Sequence, residues 1–167
     1  MLVYEQLLRP CRLPWRKARI GREGDGGYIV FDRQLEHLAA VYSYGIGDDV
    51  SFDLALAHGY RLPIYQYDHT IRASPVEHDL FQFRRERGGA ESLRRHLATN
   101  GHAFCRSLLL KMDIEGDEWD VINGCSDDLL GQFEQVVLEV HRLDRDDDSQ
   151  AAALRRLNKL FHVRGIA

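Results

Sequence analysis

The chain has 167 residues, a length that suits one domain with a sizeable buried core. Its hydrophobic fraction of 44% and charged fraction of 29% are ordinary for a globular protein. The net charge is −4 and the arginines are interleaved with acids, so the sequence predicts no nucleic-acid partner. No apolar run approaches the roughly twenty residues that cross a bilayer, and the first residues lack a signal peptide's apolar core, so we expect no membrane partner.

The three cysteines, Cys11, Cys105 and Cys125, are odd in number and scattered along the chain. They lack the spacing of a metal site and are typical of reduced cytosolic thiols. The sequence therefore predicts a cytoplasmic protein.

The N-terminal region has one strong turn signal. Residues 1–19 predict an irregular or helical lead-in, and Asp25-Gly26-Gly27 then precedes the strand-like segment Tyr28–Phe31. The turn has two interpretations: a hairpin turn and nothing more, or a loop over a cofactor that Asp25 or Tyr28 contacts.

The segment Val41–Asp68 predicts a strand, a glycine turn, an amphipathic helix and a second strand that ends in an acid. Gly45 and Gly47 allow the backbone of the turn to lie close to a ligand. Gly59 is a suitable residue to end the helix. This order of elements is typical of a nucleotide-binding βαβ unit.

The ligand of such a unit is suggested by the acid and by a missing glycine. Asp68 follows the turn by roughly twenty residues, where an acid binds the two ribose hydroxyls. A dinucleotide site needs a third glycine under the pyrophosphate, and Val50 occupies that position. The pattern therefore favours S-adenosylmethionine (SAM), an adenosine ligand without phosphates, over NAD or FAD. A flavodoxin-like or other βαβ domain whose glycines only form a turn is the alternative.

The rest of the chain continues the alternation of strands and helices. The predicted elements are a strand at Leu80–Phe83, a helix at Glu91–Leu97, a strand at Ser107–Asp113, a helix at Ile114–Gly124, a strand at Gln135–His141 and a helix at Ser149–Leu160. This alternation indicates a parallel sheet, in which ligands bind beyond the carboxyl ends of the strands.

Polar side chains converge at those strand ends. Asp113 ends one predicted strand on the same face as Lys111, Glu115 follows it, and Glu139 and His141 share a face at the end of the next strand. Taken singly, each acid is more typical of a helix cap and the histidine of a loop residue. Together they predict a site, because burying carboxylates and an imidazole is costly without partners or a use.

Five segments in this order, GREGDGGYIVFD, VYSYGIGDDVSFD, YQYDHT, LLLKMDIEGDEWDVI and VVLEVH, resemble the FkbM-type family of SAM-dependent methyltransferases. The resemblance covers about residues 11–163, and KxDxEGxEW is its most specific segment. It implies a class I methyltransferase fold, Rossmann-like, with a mostly parallel sheet and helices on both faces. We accordingly expect a single domain over residues 1–167, with a lead-in and hairpin in 1–40 and the Rossmann-like core in 41–167. Transfer of a methyl group is implied, commonly to a hydroxyl oxygen of a sugar or natural product.

The resemblance also implies site residues. Those expected to bind SAM are Tyr44, Gly45, Ile46, Gly47 and Asp68, with Asp25 and Asp113 beside them. Those expected to act in catalysis are Asp113, Glu115, Glu139 and His141. His141 is our first choice for the base, because imidazole is the side chain that titrates nearest to neutral pH. Asp113 or Glu115 would orient it or bind sugar hydroxyls.

The C-terminus departs from the family pattern. Class I methyltransferases continue after the last helix into an antiparallel hairpin of strands six and seven, whereas this chain ends at FHVRGIA, with Arg164 where relatives often have histidine. The strand at Gln135–His141 would then have an exposed edge, which proteins usually cover. We therefore expect a truncated sheet with a homodimer through that edge, or poor stability.

Two other functions are open at this point. A non-catalytic binding module would retain the fold without activity. A metal-dependent glycosyltransferase would hold Mg²⁺ or Mn²⁺ with Asp113 and Glu115, joined by Glu139 or His141. For the SAM-dependent methyltransferase we expect no metal site. A methyltransferase that also uses Mg²⁺ to acidify its acceptor is a variant of that interpretation. The sequence does not name the small-molecule acceptor.

Overall fold

The computed structural model describes residues 7–8, 14–143 and 148–161. The strands are β1 (Lys17–Ile20), β2 (Tyr28–Phe31), β3 (Ala40–Tyr44), β4 (Ile64–Tyr67), β5 (Phe81–Arg84), β6 (Leu108–Met112) and β7 (Phe133–Leu138). The helices are α1 (Ser51–Tyr60), α2 (Ala90–Thr99), α3 (Glu118–Gly124), α4 (Asp127–Leu130) and α5 (Asp148–Leu160), with a 3₁₀ helix at Asp32–His37. Cys11 and Arg164 lie outside the described residues.

Five strands form one parallel sheet in the order β5-β4-β3-β6-β7. The central strands β3, β4 and β6 are buried along their whole length, as expected for a sheet covered on both faces. The predicted α/β fold with a parallel sheet is therefore confirmed. The carboxyl ends of β3, β4 and β6 lie together at one edge.

Helices cover both faces of this sheet. Tyr42 and Tyr44 of β3 face a core formed with α2, α3, α4 and α5, whereas Val41 faces a core formed with α1 and β2. The alternation follows from the two-residue period of a strand. Full burial of one large apolar side chain contributes about 1.5–3 kcal/mol, so both faces stabilise the sheet.

The lead-in is more regular than its sequence suggests. Lys17–Ile20 pairs antiparallel with Tyr28–Phe31, so β1 and β2 form a hairpin whose connection contains the predicted turn at residues 25–27. The expectation of an irregular or helical segment up to residue 19 is wrong for these residues. The reason is tertiary, because β1 is stabilised by its partner strand and contacts α1.

Two helix boundaries differ from the predictions. Gly59 lies inside α1, which ends at Tyr60, and the capping residue Arg61 adopts a left-handed conformation with φ 55°. The helix predicted from Ile114 begins only at Glu118. Left-handed φ angles of 59° at Glu115 and 106° at Gly116 prevent helical geometry in the preceding turn.

The last strand is shorter at its end than predicted. β7 ends at Leu138, so Glu139 follows the strand directly and His141 lies in the loop after it. Glu139 still donates its backbone N–H to the carbonyl oxygen of Met112 at 2.9 Å. Among the described strands β7 pairs only with β6, which makes it an edge strand.

Within the described ranges, no helix has both the length and the apolar character that a membrane span requires.

Candidate active site

The glycine turn between β3 and α1 is set by backbone geometry. Gly45 and Gly47 have φ angles of 74° and 55°, in the left-handed region. A Cβ atom at Gly45 would lie 1.6 Å from the carbonyl oxygen of Asp113, whereas one at Gly47 would meet no atom within 4 Å. The first glycine therefore allows two strand ends to pack together, and the second leaves open space beside the turn.

Asp68, at the end of β4, holds this turn in place. Its Oδ2 accepts hydrogen bonds from the backbone N–H groups of Ile46 and Gly47 at 2.8 and 3.0 Å. Its Oδ1 accepts bonds from the backbone N–H and the hydroxyl of Thr70 at 2.7 and 2.6 Å. Burial raises the pKa of Asp68, but these four bonds outweigh it and lower the pKa to about 2. The predicted bond from Asp68 to ribose stays a prediction, and it would compete with Thr70.

A cavity of about 550 Å³ opens beside the turn, a size typical of small-molecule sites. Gly45, Ile46, Gly47, Asp68 and Asp113 line it, as do Asp25 and Tyr28 of the hairpin. Arg22 and Asp49 form an ion pair of 2.8 Å that ties the hairpin loop to the turn. The loop therefore forms the turn of a hairpin and also borders the cavity, and the contact of Asp25 or Tyr28 with a cofactor stays a prediction.

Tyr44 does not line the cavity with these residues. Its ring is 1% exposed and stacks on Tyr67 with 4.9 Å between ring centroids. Its hydroxyl group lies 2.9 Å from Nδ1 of His96. The side chain of Tyr44 is thus a core residue, because the alternation along β3 turns it toward the α2 side of the sheet.

The floor of the cavity carries a buried lysine and a buried acid. Nζ of Lys111 donates to the carbonyl oxygen of Gly45 and lies 3.6 Å from Oδ2 of Asp113. Asp53 of α1 accepts a bond from Nε2 of Gln66 at 2.7 Å, and burial raises its pKa. Sequence reasoning missed Asp53, since a polar residue on an amphipathic helix gives no sign that it faces a cavity.

The predicted catalytic residues come together at the flank of the cavity. Nε2 of His141 lies 3.9 Å from Oδ1 of Asp113, 3.7 Å from Oε2 of Glu115 and 3.8 Å from Oε1 of Glu139. We call these four residues the carboxylate–histidine cluster. Asp113 and Glu115 also line the cavity, whereas Glu139 and His141 do not. The cluster and the cavity therefore meet at Asp113 and Glu115.

Tyr28 connects the cluster to the hairpin. Its hydroxyl group lies 2.9 Å from Oδ2 of Asp113 and 3.3 Å from Oε2 of Glu139, to which it donates. Burial and then the charge of Asp113 raise the pKa of Tyr28, which keeps the phenol protonated. Burial, followed by the charges of Asp113 and Asp25, raises the pKa of Glu139. The cluster is thus a region of concentrated negative charge.

Such a cluster favours a positive charge at its centre. A metal ion would supply one, since ligand atoms of Asp113, Glu139 and His141 all lie within 4.8 Å of one another. Carboxylate oxygens with an imidazole nitrogen suit divalent ions.

The other side of the imidazole faces a residue that sequence reasoning missed. Nδ1 of His141 lies 3.2 Å from Oε1 of Glu118. The sequence predicted that Asp113 or Glu115 would orient the ring, but the acid beside this nitrogen is Glu118. The indole N–H of Trp119 donates to the carbonyl oxygen of His141 at 3.1 Å. The only signal for either contact in the sequence is that both residues end the KxDxEGxEW segment.

Comparison with protein families identifies the family of the chain. Residues 24–162 match the family model described as methyltransferase FkbM domain, a range that contains the turn, the cluster and all of the described cavity-lining residues except Arg22. No curated protein and no solved structure matches the chain. The chain therefore belongs to the methyltransferase FkbM domain family, which identifies it as a methyltransferase.

Proposed function

We propose that this methyltransferase uses SAM to methylate a hydroxyl oxygen of a sugar, natural product or other small molecule. The observation that carries the proposal is the position of Asp113, which lines the cavity and is also a member of the cluster that contains His141. A methyl donor in the cavity and a hydroxyl group at the cluster would meet at this residue.

The cavity suits SAM in size and in charge. Among the residues that the structure describes, nine carboxylate side chains and three arginine or lysine side chains line it. This excess favours a ligand with positive groups, and SAM has a sulfonium and an ammonium group. Gly45, Ile46, Gly47 and Asp68 would hold the adenosine, with Asp25 and Asp113 nearer the amino acid part. When bound, SAM supplies an electrophilic methyl group whose transfer to oxygen yields S-adenosylhomocysteine and releases the hydroxyl proton.

The role of His141 is to accept that proton. An alcohol is a poor nucleophile at neutral pH, and a positioned base accelerates such a reaction by about 10²–10⁴-fold. Asp113, Glu115 and Glu139 surround Nε2 and would stabilise the imidazolium ion that forms. The remaining contribution is orientation, since a hydroxyl group held in line for attack loses less entropy on reacting.

The cluster is accessible to an acceptor from solution. The side chain of Glu115 is 88% exposed and that of Glu139 is 39% exposed. Carboxylates accept hydrogen bonds from hydroxyl groups, so the same acids could bind the other hydroxyls of a polyol. These features support a sugar-like acceptor.

Binding and transfer can be measured separately. Calorimetry should detect both SAM and S-adenosylhomocysteine, and labelled SAM should transfer its methyl group to members of a panel of sugars and natural products. Binding of neither nucleoside would contradict the proposal and favour the non-catalytic module.

Replacing His141 with alanine should lower the turnover number by about 10²–10⁴-fold, because the base is removed. Affinity for S-adenosylhomocysteine should change little, since His141 does not line the cavity. The exposed His37 provides a control, and His37→Ala should leave both quantities unchanged. An equal loss of turnover and of affinity in His141→Ala would refute the assignment.

Chelation distinguishes the base from the metal variant that the geometry of Asp113, Glu139 and His141 permits. Activity that withstands EDTA supports His141 as the base. Activity that EDTA abolishes and Mg²⁺ restores would assign these three residues to a metal ion.

A further inference from the structure

We propose that Glu118 is a positioning residue that fixes the orientation and the tautomer of His141, so that Nε2 is the nitrogen available to an acceptor. The proposal rests on the proposed function, in which His141 is the base. Glu118 lies in the KxDxEGxEW segment and is not among the described residues that line the cavity.

Glu118 is almost completely buried, with a side chain that is 1% exposed. Burying a carboxylate is costly unless its oxygens are well paired. Oε1 has two partners, the backbone N–H of Ile114 at 2.7 Å and Nδ1 of His141 at 3.2 Å. Oε2 is buried without a hydrogen-bond partner among the described residues. The contacts of this acid are therefore concentrated on one oxygen, and His141 is the side chain that it reaches.

The bond from Ile114 indicates which atom supplies the hydrogen in the contact between His141 and Glu118. A backbone N–H can only donate, so Oε1 of Glu118 acts as an acceptor. Each oxygen of a carboxylate can accept two hydrogen bonds, so Oε1 can also accept one from Nδ1. Nδ1 of His141 is therefore the donor in its contact with Oε1, and in a neutral ring the lone pair lies on Nε2.

The charge of the three acids around Nε2 by itself favours a hydrogen on that nitrogen, so in this proposal the bond between Nδ1 and Glu118 outweighs it. The three carboxylate oxygens around Nε2 lie 3.7–3.9 Å away, beyond the range of a hydrogen bond. With a lone pair on Nε2, the space between this nitrogen and the carboxylates can accept a hydroxyl group whose hydrogen points at Nε2. The bond from Trp119 holds the backbone of His141, so helix α3 fixes both the main chain and the ring.

The tautomer can be observed without any activity. The ring nitrogen resonances of His141, identified by their loss in His141→Gln, should show the hydrogen on Nδ1 in the unmodified protein when the ring is neutral. A hydrogen found mainly on Nε2 would overturn the proposal directly.

Two variants of Glu118 distinguish the effect of its hydrogen-bond acceptor from the effect of its negative charge. Glu118→Met keeps the length of the side chain without an acceptor, so the tautomer should shift toward Nε2–H and turnover should fall by about 10²-fold or more. Glu118→Gln can present a carbonyl oxygen at the position of Oε1, so the Nδ1–H tautomer should persist with turnover within about tenfold of the original. An unchanged tautomer in Glu118→Met would overturn the proposal.

A double-mutant cycle tests whether Glu118 acts through His141. If it does, adding Glu118→Met to His141→Ala should lower the residual turnover by less than about twofold. A merely structural role would lower turnover by the same factor in both backgrounds, which contradicts the proposal. Failure of the base assignment is a separate result, since His141→Ala would then retain activity whatever the tautomer measurement shows.

Discussion

Asp68 accepts hydrogen bonds from two backbone N–H groups of the glycine turn and from two groups of Thr70. An ionised carboxylate has room for about four such bonds, so its acceptor capacity is filled by the protein itself. This gives the acid a structural role that its position in the sequence did not predict. The expected ribose contact requires at least one of these bonds to be exchanged.

The low pKa of Asp68 makes the stability of the protein depend on pH. The pKa is about 2 in the folded protein, below the ordinary value of 3.8. The carboxylate therefore contributes fully above about pH 4, and the contribution is lost as the pH falls toward 2. Urea unfolding should show that Asp68→Asn removes this dependence and costs on the order of 1–2 kcal/mol at neutral pH.

The exposed Asp48 of the same turn provides the matched control. Asp48→Asn should change the free energy of unfolding by less than about 0.5 kcal/mol at any of these pH values. If both variants lost the same stability, Asp68 would not be the residue that holds the turn.

At the scale of the elements, the turn between β3 and α1 depends on two glycines for different reasons. Gly45→Ala would place a Cβ atom 1.6 Å from the carbonyl oxygen of Asp113 at a φ of 74°, and should lower the free energy of unfolding by more than about 3 kcal/mol. Gly47→Ala meets open space at a φ of 55°, and should cost about 1–2 kcal/mol. Urea unfolding measures both, and equal losses would contradict the close packing of the strand ends.

The segment between β6 and α3 shows how an element boundary creates the site. In a helix that began at Ile114, Glu115 and Glu118 would be three residues apart and would lie on the same face. The left-handed conformations of Glu115 and Gly116 instead prevent a helix before Glu118. Glu115 then faces Nε2 of His141 while Glu118 faces Nδ1.

At the scale of the whole molecule, the site lies at the topological switch point, where the order of the strands in the sheet reverses. β4 and β6 flank β3 on opposite sides, so the chain leaves the carboxyl end of β3 at a crevice between two crossover connections. Parallel sheets bind ligands at such a point. The turn, Asp68 and Asp113 each end one of these three strands, which explains why they meet.

The edge of β7 carries the prediction of a homodimer. β7 pairs with β6 alone among the described strands, and unpaired strand edges favour association. Light scattering should give the mass of two chains, and this mass should decrease toward that of one chain as the protein is diluted. A stable mass of one chain, 19.3 kDa, would count against association through this edge.

The amino-acid sequence by itself determined the order of the five strands of the parallel sheet and of helices α1, α2, α3 and α5, the glycine turn and the four residues of the cluster. These features are local, since alternating burial, helical spacing and positive φ angles depend on neighbouring residues. Strand ends in a parallel sheet share one edge, so Asp113, Glu139 and His141 could be placed together before their contacts were known.

Only the tertiary structure decided how those residues face one another. Tyr28 reaches Asp113 across 85 positions in the chain, and Glu118 reaches His141 across 23. The two-residue period of a strand tells which side chains share a face, but not which core that face meets, so the sequence could not show that the side chain of Tyr44 faces away from the cavity. Contacts of this kind depend on strand order and on backbone conformations such as those of Glu115 and Arg142, which arise from packing of the whole fold.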